Sequence, residues 1–77
     1  MPRYFFHIKD EQKTIRDVEG MELQDLDAVL EEARESARQI MSERVLEGHG
    51  PDGRVFVVTE EQGETVLTFP FRLAISD

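Results

Sequence analysis

One stretch, Asp25 to Glu47, constrains the fold more than any other, because it alone is long and periodic enough to read as a helix. Leu26, Leu30, Ala33, Ala37 and Ile40 recur at steps of four and three, and Val29, Met41 and Val45 widen the same stripe. That is the pattern of one helix face set against a core. Glu31, Arg34, Glu35, Arg38, Gln39, Ser42 and Glu43 fall outside it. Glu31 with Arg34 and Glu35 with Arg38 make i,i+3 pairs, worth about 0.2–0.5 kcal/mol each. Asp25 or Asp27 caps the start, where a carboxylate takes an orphan N–H and suits the helix dipole. Gly48 or Gly50 ends the helix, with Pro51 behind it. Ala33 and Ala37 let the axis approach its neighbour closely, so large sheet side chains are expected opposite them.

The segments around the helix read as strands and turns. Arg3 to Lys9 is a first strand, with Tyr4, Phe6 and Ile8 on one face and Phe5, His7 and Lys9 on the other. Asp10 to Lys13 turns, and Thr14 to Asp17 returns as a short edge strand. Gly20 supplies a positive-φ turn in the loop from Asp17 to Leu23. After the helix, Pro51, Asp52 and Gly53 form a turn into a third strand, Arg54 to Thr59, with Val55 and Val57 on one face and Phe56 and Val58 on the other. Glu60 to Gly63 is a hairpin turn. Thr65 to Phe71 is a fourth strand, and Pro70 marks its far end as an edge, since proline has no N–H to give a ladder.

The element order is therefore ββαββ, an α+β domain. Placing the doubly apolar strands centrally gives a four-stranded antiparallel sheet of order 2-1-3-4 with one long helix packed on one face. The helix carries the chain over the sheet in a right-handed crossover. At 1.5 Å per residue it is longer than strands of five or six residues, so Ile40, Met41, Val45 and Leu46 are expected to overhang.

A single helix covers a single sheet face. If Tyr4, Phe6, Ile8, Leu67, Phe69 and Phe71 lie beneath it, then Phe5, His7, Phe56, Val58 and Val66 lie on the uncovered face. An apolar patch of that kind marks a protein interface, most simply that of a symmetric homodimer. The opposing expectation is that Leu73 to Ile75 fold across and cover it. At 77 residues the chain is one domain, and a core this small buries only about 60% of the unfolded surface, so a partner chain helps.

Charge and composition narrow the function classes. The net charge is −8, which opposes binding to nucleic acid or to anionic membranes. No apolar run reaches the length of a membrane span or a signal peptide. Cysteine is absent, which removes disulfides and thiolate metal sites and fits a reducing cytoplasm. The two histidines, His7 and His49, show no metal-ligand spacing. Glu31 and Glu35 stand beside arginines and read as a solvated face. Asp17 and Glu19 before Gly20 lack the other ligands of a calcium loop. Gly48, Gly50 and Gly53 are not followed by the Lys-Ser or Lys-Thr of a phosphate loop. No catalytic triad is identifiable, so neither an enzyme nor a cofactor is expected.

The opening Pro2-Arg-Tyr-Phe-Phe-His7, the loop Asp17-Val-Glu-Gly20-Met-Glu-Leu23, the Glu-Glu-Ala-Arg run at 31 to 34 and the closing Pro70-Phe71 resemble a family of short, mainly alphaproteobacterial proteins. The resemblance spans nearly the whole chain and implies no activity, ligand or catalytic residue. Many members have Asp-Gly in the first turn, where this chain has Asp10-Glu11. A looser similarity is to the N-terminal halves of HicB-type antitoxins, which pair a small sheet with an acidic helix; no DNA-binding segment follows here.

Three functional expectations result. The first is a non-enzymatic interaction module that homodimerises through its sheet or helix overhang. The second is an antitoxin-like or regulatory acidic domain that masks a basic protein partner. The third is a small-molecule or metal binder around His7.

Overall fold

The computed structural model describes residues 1–46 and 53–75. Among them the chain forms one long helix and an antiparallel sheet of five strands. The strands are β1 (Arg3–Lys9), β2 (Thr14–Ile15), β3 (Met21–Glu22), β4 (Val55–Glu60) and β5 (Thr65–Pro70); α1 is Leu26–Leu46, and a 3-10 helix, Phe71–Ile75, follows β5. The spatial order is β2-β1-β4-β5, with β3 also paired to β1. The expected four-strand count is corrected by β3. The chain leaves β1 after β2 and rejoins the same edge further along, where Arg3 pairs with Glu22 and Tyr4 with Met21. The expected helix end at Gly48 or Gly50, the turn at Pro51 and Asp52, His49, and the side chains of Val45 and Leu46 lie outside the described residues.

The local reasons for these elements are visible. Asp25 is the cap: its Oδ1 accepts the Ala28 N–H at 2.9 Å, and its carbonyl accepts the Val29 N–H. Asp10 closes the first turn by accepting the N–H groups of Gln12 and Lys13 at 2.7 and 2.8 Å. Gly63 closes the β4–β5 hairpin at φ 95°, while Glu60 Oε1 accepts the N–H groups of Gln62 and Glu64. The pairs Glu31–Arg34 and Glu35–Arg38 form at 3.4 and 3.3 Å on the exposed side of α1.

The core lies between α1 and one sheet face. Val29, Ala33, Ala37 and Met41, spaced by four, are the buried row of the helix. Leu26, expected in the stripe, is 55% exposed instead. Ile40 packs against the core, and Met41 is part of it, so neither belongs to an overhang. The sheet contributes Tyr4, Phe56, Val58 and Phe69.

Strand register corrects the expected faces. Ile8 pairs with Phe56 and Phe6 with Val58; Phe56 pairs with Phe69 and Val58 with Leu67. Residues paired across an antiparallel ladder point to the same side. Phe56 and Val58 therefore sit beneath the helix with Tyr4, Phe6 and Ile8, at 3% and 0% exposure. A register shift between Val58 and Thr59 offsets the start of β5, and Val66 also packs against the core. Of the five residues expected on the uncovered face, only Phe5 and His7 point there, beside Val57, Val55 and Thr59 of β4.

The tail does not cross to that face. Phe71 and Ala74 are buried, and the 3-10 helix packs along α1. Arg38 holds it there, donating from Nε and Nη2 to the Ala74 carbonyl at 3.4 and 3.3 Å. The Phe71 ring lies 4.7 Å from that of Phe56, with the Arg54 guanidinium 5.0 Å from its centroid. Phe71→Ala should remove about 3–5 kcal/mol, enough to unfold much of a domain this small. Leu73→Ala, at a half-exposed position of the same 3-10 helix, should stay within about 0.5 kcal/mol of wild type. Urea denaturation of the two variants checks both.

Candidate functional site

The most elaborate polar arrangement among the described residues lies where β1 has no strand beside it. β2 pairs with β1 at Ile8 and Lys9, and β3 pairs with it at Arg3 and Tyr4. Between them the outer edge of β1 faces the Asp17–Gly20 loop. Asp17 fills the gap: its Oδ2 accepts the Phe6 N–H at 2.9 Å, the bond a neighbouring strand carbonyl would otherwise make. Its Oδ1 accepts the N–H groups of Glu19 and Gly20, both at 3.1 Å. Burial alone would raise the Asp17 carboxyl. The N–H groups of Phe6, Gly20 and Glu19 outweigh that, with His7 adding to them, and hold its pKa below the ordinary carboxylate value.

His7 completes the arrangement. The Asp17 N–H donates to His7 Nδ1 at 3.1 Å, so that nitrogen carries a lone pair and the neutral ring has its proton on Nε2. Nε2 lies 3.1 Å from Thr59 Oγ1 and donates to it. The ring also stacks on Phe5 at 6.4 Å and 7°. Both nitrogens are thus engaged, which leaves His7 no lone pair free for a metal. Among the described residues no group of three or more His, Asp and Glu side chains converges to hold one.

Gly20 makes the loop possible. It sits at φ 73°, and a Cβ there would lie 2.9 Å from both Arg3 Cγ and the Phe5 ring. Arg3 Nη1 reaches over the loop to the Glu19 carbonyl at 2.8 Å. Two surfaces flank this arrangement. On the helix side is a groove of about 380 Å³ with Phe6, Ile40 and Phe56 as its apolar wall and Asp17, Glu19 and Glu32 at its rim. On the open side is a groove of about 340 Å³, lined by His7, Lys9, Thr14, Arg16, Val57, Thr59 and Gly63.

With the geometry in place, comparison with known proteins shows that a family model described as Domain of unknown function (DUF6894) covers residues 3–72. The chain belongs to this family. No curated protein and no solved structure matches it. As a DUF6894 domain, the chain has its matched region running from the start of β1 into the 3-10 helix, so the Asp17 loop and the Phe71 turn both fall within it. The sequence places Asp17 at the junction of a short strand and a loop, and its weak likeness to a calcium-loop ligand does not connect it to Phe6 or His7. The available signal was an aspartate three residues before a glycine, a spacing that favours a side chain bonded to its own following N–H groups.

Two measurements probe this loop. Gly20→Ala should destabilise by about 1–3 kcal/mol, more than Gly63→Ala, where the φ is also positive but nothing lies near the added methyl. Because the Asp17 pKa is lowered on folding, its contribution is present above about pH 4 and is lost as pH falls through the folded value. Asp17→Asn should therefore lower stability at pH 7, on the order of 1 kcal/mol, and flatten the acid limb of the stability curve measured by urea melts from pH 7 to 2.

Proposed function

We propose that the chain is a non-enzymatic protein-interaction module that acts as a homodimer and uses its uncovered sheet face for recognition. One observation carries the reading: among the described residues, α1 and the 3-10 helix both lie on the same side of the sheet. Phe5, His7, Val55, Val57, Thr59 and Thr68 are left to the other side. This face differs in character from the rest of the chain. Lys9 and Arg16 line one groove on it and Lys9, Asp10 and Glu11 another, so both signs are present, whereas the exposed side of α1 carries Glu31, Glu35 and Glu43. Two copies of a chain of net charge −8 meet with less repulsion through this mixed-sign side of the sheet than through α1. The loss of Phe56, Val58 and Val66 to the core makes the face a mixed docking surface rather than an apolar slab.

Light scattering after size exclusion tests the association. The expected mass at micromolar concentration is twice the chain's 8.9 kDa. A monomer at every concentration would overturn the reading.

The acidic-rimmed groove favours a second reading, in which the domain masks a basic protein. Its apolar wall of Phe6, Ile40 and Phe56 suits the stem of a lysine or arginine, and Glu19 and Glu32 suit its head. This reading expects a Lys-rich peptide to bind with strong salt dependence and to lose affinity in Glu32→Gln but not in Glu64→Gln, which makes the same charge change at an exposed position outside the groove's lining. Equal losses in both variants would remove it.

A further inference from the structure

The two edges of the sheet are not alike. On the β1 side, β2, β3 and the Asp17 carboxylate occupy the outer edge. On the other side β5 ends the sheet order, and none of the described elements pairs with its outer edge. Natural proteins guard such edges with charged side chains, proline or bulges; β5 has Pro70 at one end and a register shift at the other, and neither falls at its centre, Thr68. Here the edge strand belongs to the longest uncharged run in the chain, Thr65-Val-Leu-Thr-Phe-Pro-Phe71, bounded by Glu64 and Arg72.

Which backbone groups this edge offers follows from the ladder. The Phe71 N–H donates to the Arg54 carbonyl at 2.9 Å, so Arg54 and Phe71 form a hydrogen-bonded pair. Alternation then makes Phe56–Phe69 and Val58–Leu67 the next such pairs. Thr68 and Pro70, lying between them, turn their backbone groups away from β4. Thr68 presents both an N–H and a carbonyl to the outside. Pro70 presents only a carbonyl, so its missing N–H costs the β4–β5 ladder nothing and limits how far any outer ladder can run.

We infer that the outer edge of β5 pairs antiparallel with β5 of a second copy, across a two-fold axis at Thr68. The two Thr68 residues then exchange both backbone hydrogen bonds. A strand with no charge along its length is also where two copies of net charge −8 meet with little repulsion. The two sheets become one, with both helices on the same side and the two open faces joined into a single surface. The inference rests on the homodimer reading above and narrows it, placing the seam at the edge of the sheet and leaving the open face for a further partner.

The test is the solution mass of wild type, Thr68→Lys and Val57→Glu across a dilution series, with circular dichroism to confirm folding. Thr68 is exposed, so a lysine there leaves the monomer intact while placing two cations at the two-fold axis. The expected result is a wild-type dimer, a folded Thr68→Lys monomer and a Val57→Glu dimer. Amide hydrogen exchange on wild type supplies a readout that needs no variant: the Thr68 N–H should exchange at least about tenfold more slowly in the dimer than after dilution to monomer. A dimer that survives Thr68→Lys, or a Thr68 N–H whose exchange ignores concentration, overturns the edge seam. If Val57→Glu alone gives the monomer, the seam is the open face and the homodimer reading stands without the edge. A wild-type monomer at all concentrations overturns both.

Discussion

The packing of Phe71 against Phe56 decides how the rest of the molecule is arranged. Phe71 is the residue at which the chain leaves β5, and three contacts pin it there: the Phe56 ring, the Arg54 guanidinium and the Arg54 carbonyl. Because Phe56 points beneath α1, burying Phe71 against it turns the tail toward the helix rather than toward the open face. Ala33 and Ala37 leave room on α1 for this. Both are fully buried, and the absence of larger side chains lets the 3-10 helix lie alongside. All the cover this short chain supplies among its described residues is thereby committed to one side of the sheet.

A comparable economy operates at the β1 edge. A full-length partner strand would satisfy the outward N–H of Phe6 with a backbone carbonyl. Here two strands of two residues each pair at the ends, and one carboxylate replaces the missing middle. That substitution works because Gly20 adopts a left-handed conformation against the Phe5 ring and brings its own N–H and that of Glu19 onto the same carboxylate. A negative charge with three N–H donors around it is well compensated although partly withdrawn from water. The Asp17 N–H, turned the other way, sets the tautomer of His7 and so determines which ring nitrogen faces Thr59. The loop motif Asp17-x-x-Gly20 is thus a structural plug with a consequence on the open face.

Much of this was legible in the sequence, and what was not has a physical cause. The helix, its Asp25 cap and the positive φ of Gly20 follow from local rules, since each depends on residues within one turn of one another. The face taken by β4 does not. Val55, Phe56, Val57 and Val58 are apolar on both sides, so period-two alternation offers no preference, and only the pairing of Phe6 with Val58 across the sheet decides it. Val66 was obscured by the register shift beside Val58, where one extra residue breaks the alternation. The strand Met21–Glu22 was missed because two residues held by a distant partner leave no periodic signal. The Asp17 plug depends likewise on Phe6, eleven residues earlier in the chain.

The correction of the faces changes what the described residues leave on the open side of the sheet. With Phe56, Val58 and Val66 internal, the open face holds Phe5, Val55 and Val57 among threonines, a histidine and charged side chains of both signs, a composition that tolerates water. Backbone groups are less tolerant. A side chain can be changed to polar without disturbing a ladder, but an outward N–H and carbonyl recur wherever a strand ends a sheet, and only charge, proline or a covering element suppresses their pairing. β5 carries the proline at one end and no charge along its length, whereas the outer edge of β1 is occupied by β2, β3 and Asp17. In a chain whose acidic groups repel a second copy elsewhere, an uncharged strand with unmet hydrogen bonds is where attraction is short-ranged and repulsion weakest. The same argument explains why Pro70 sits at the end of β5 and not at its centre: there it limits the ladder to a short central stretch and discourages the open-ended addition of further strands.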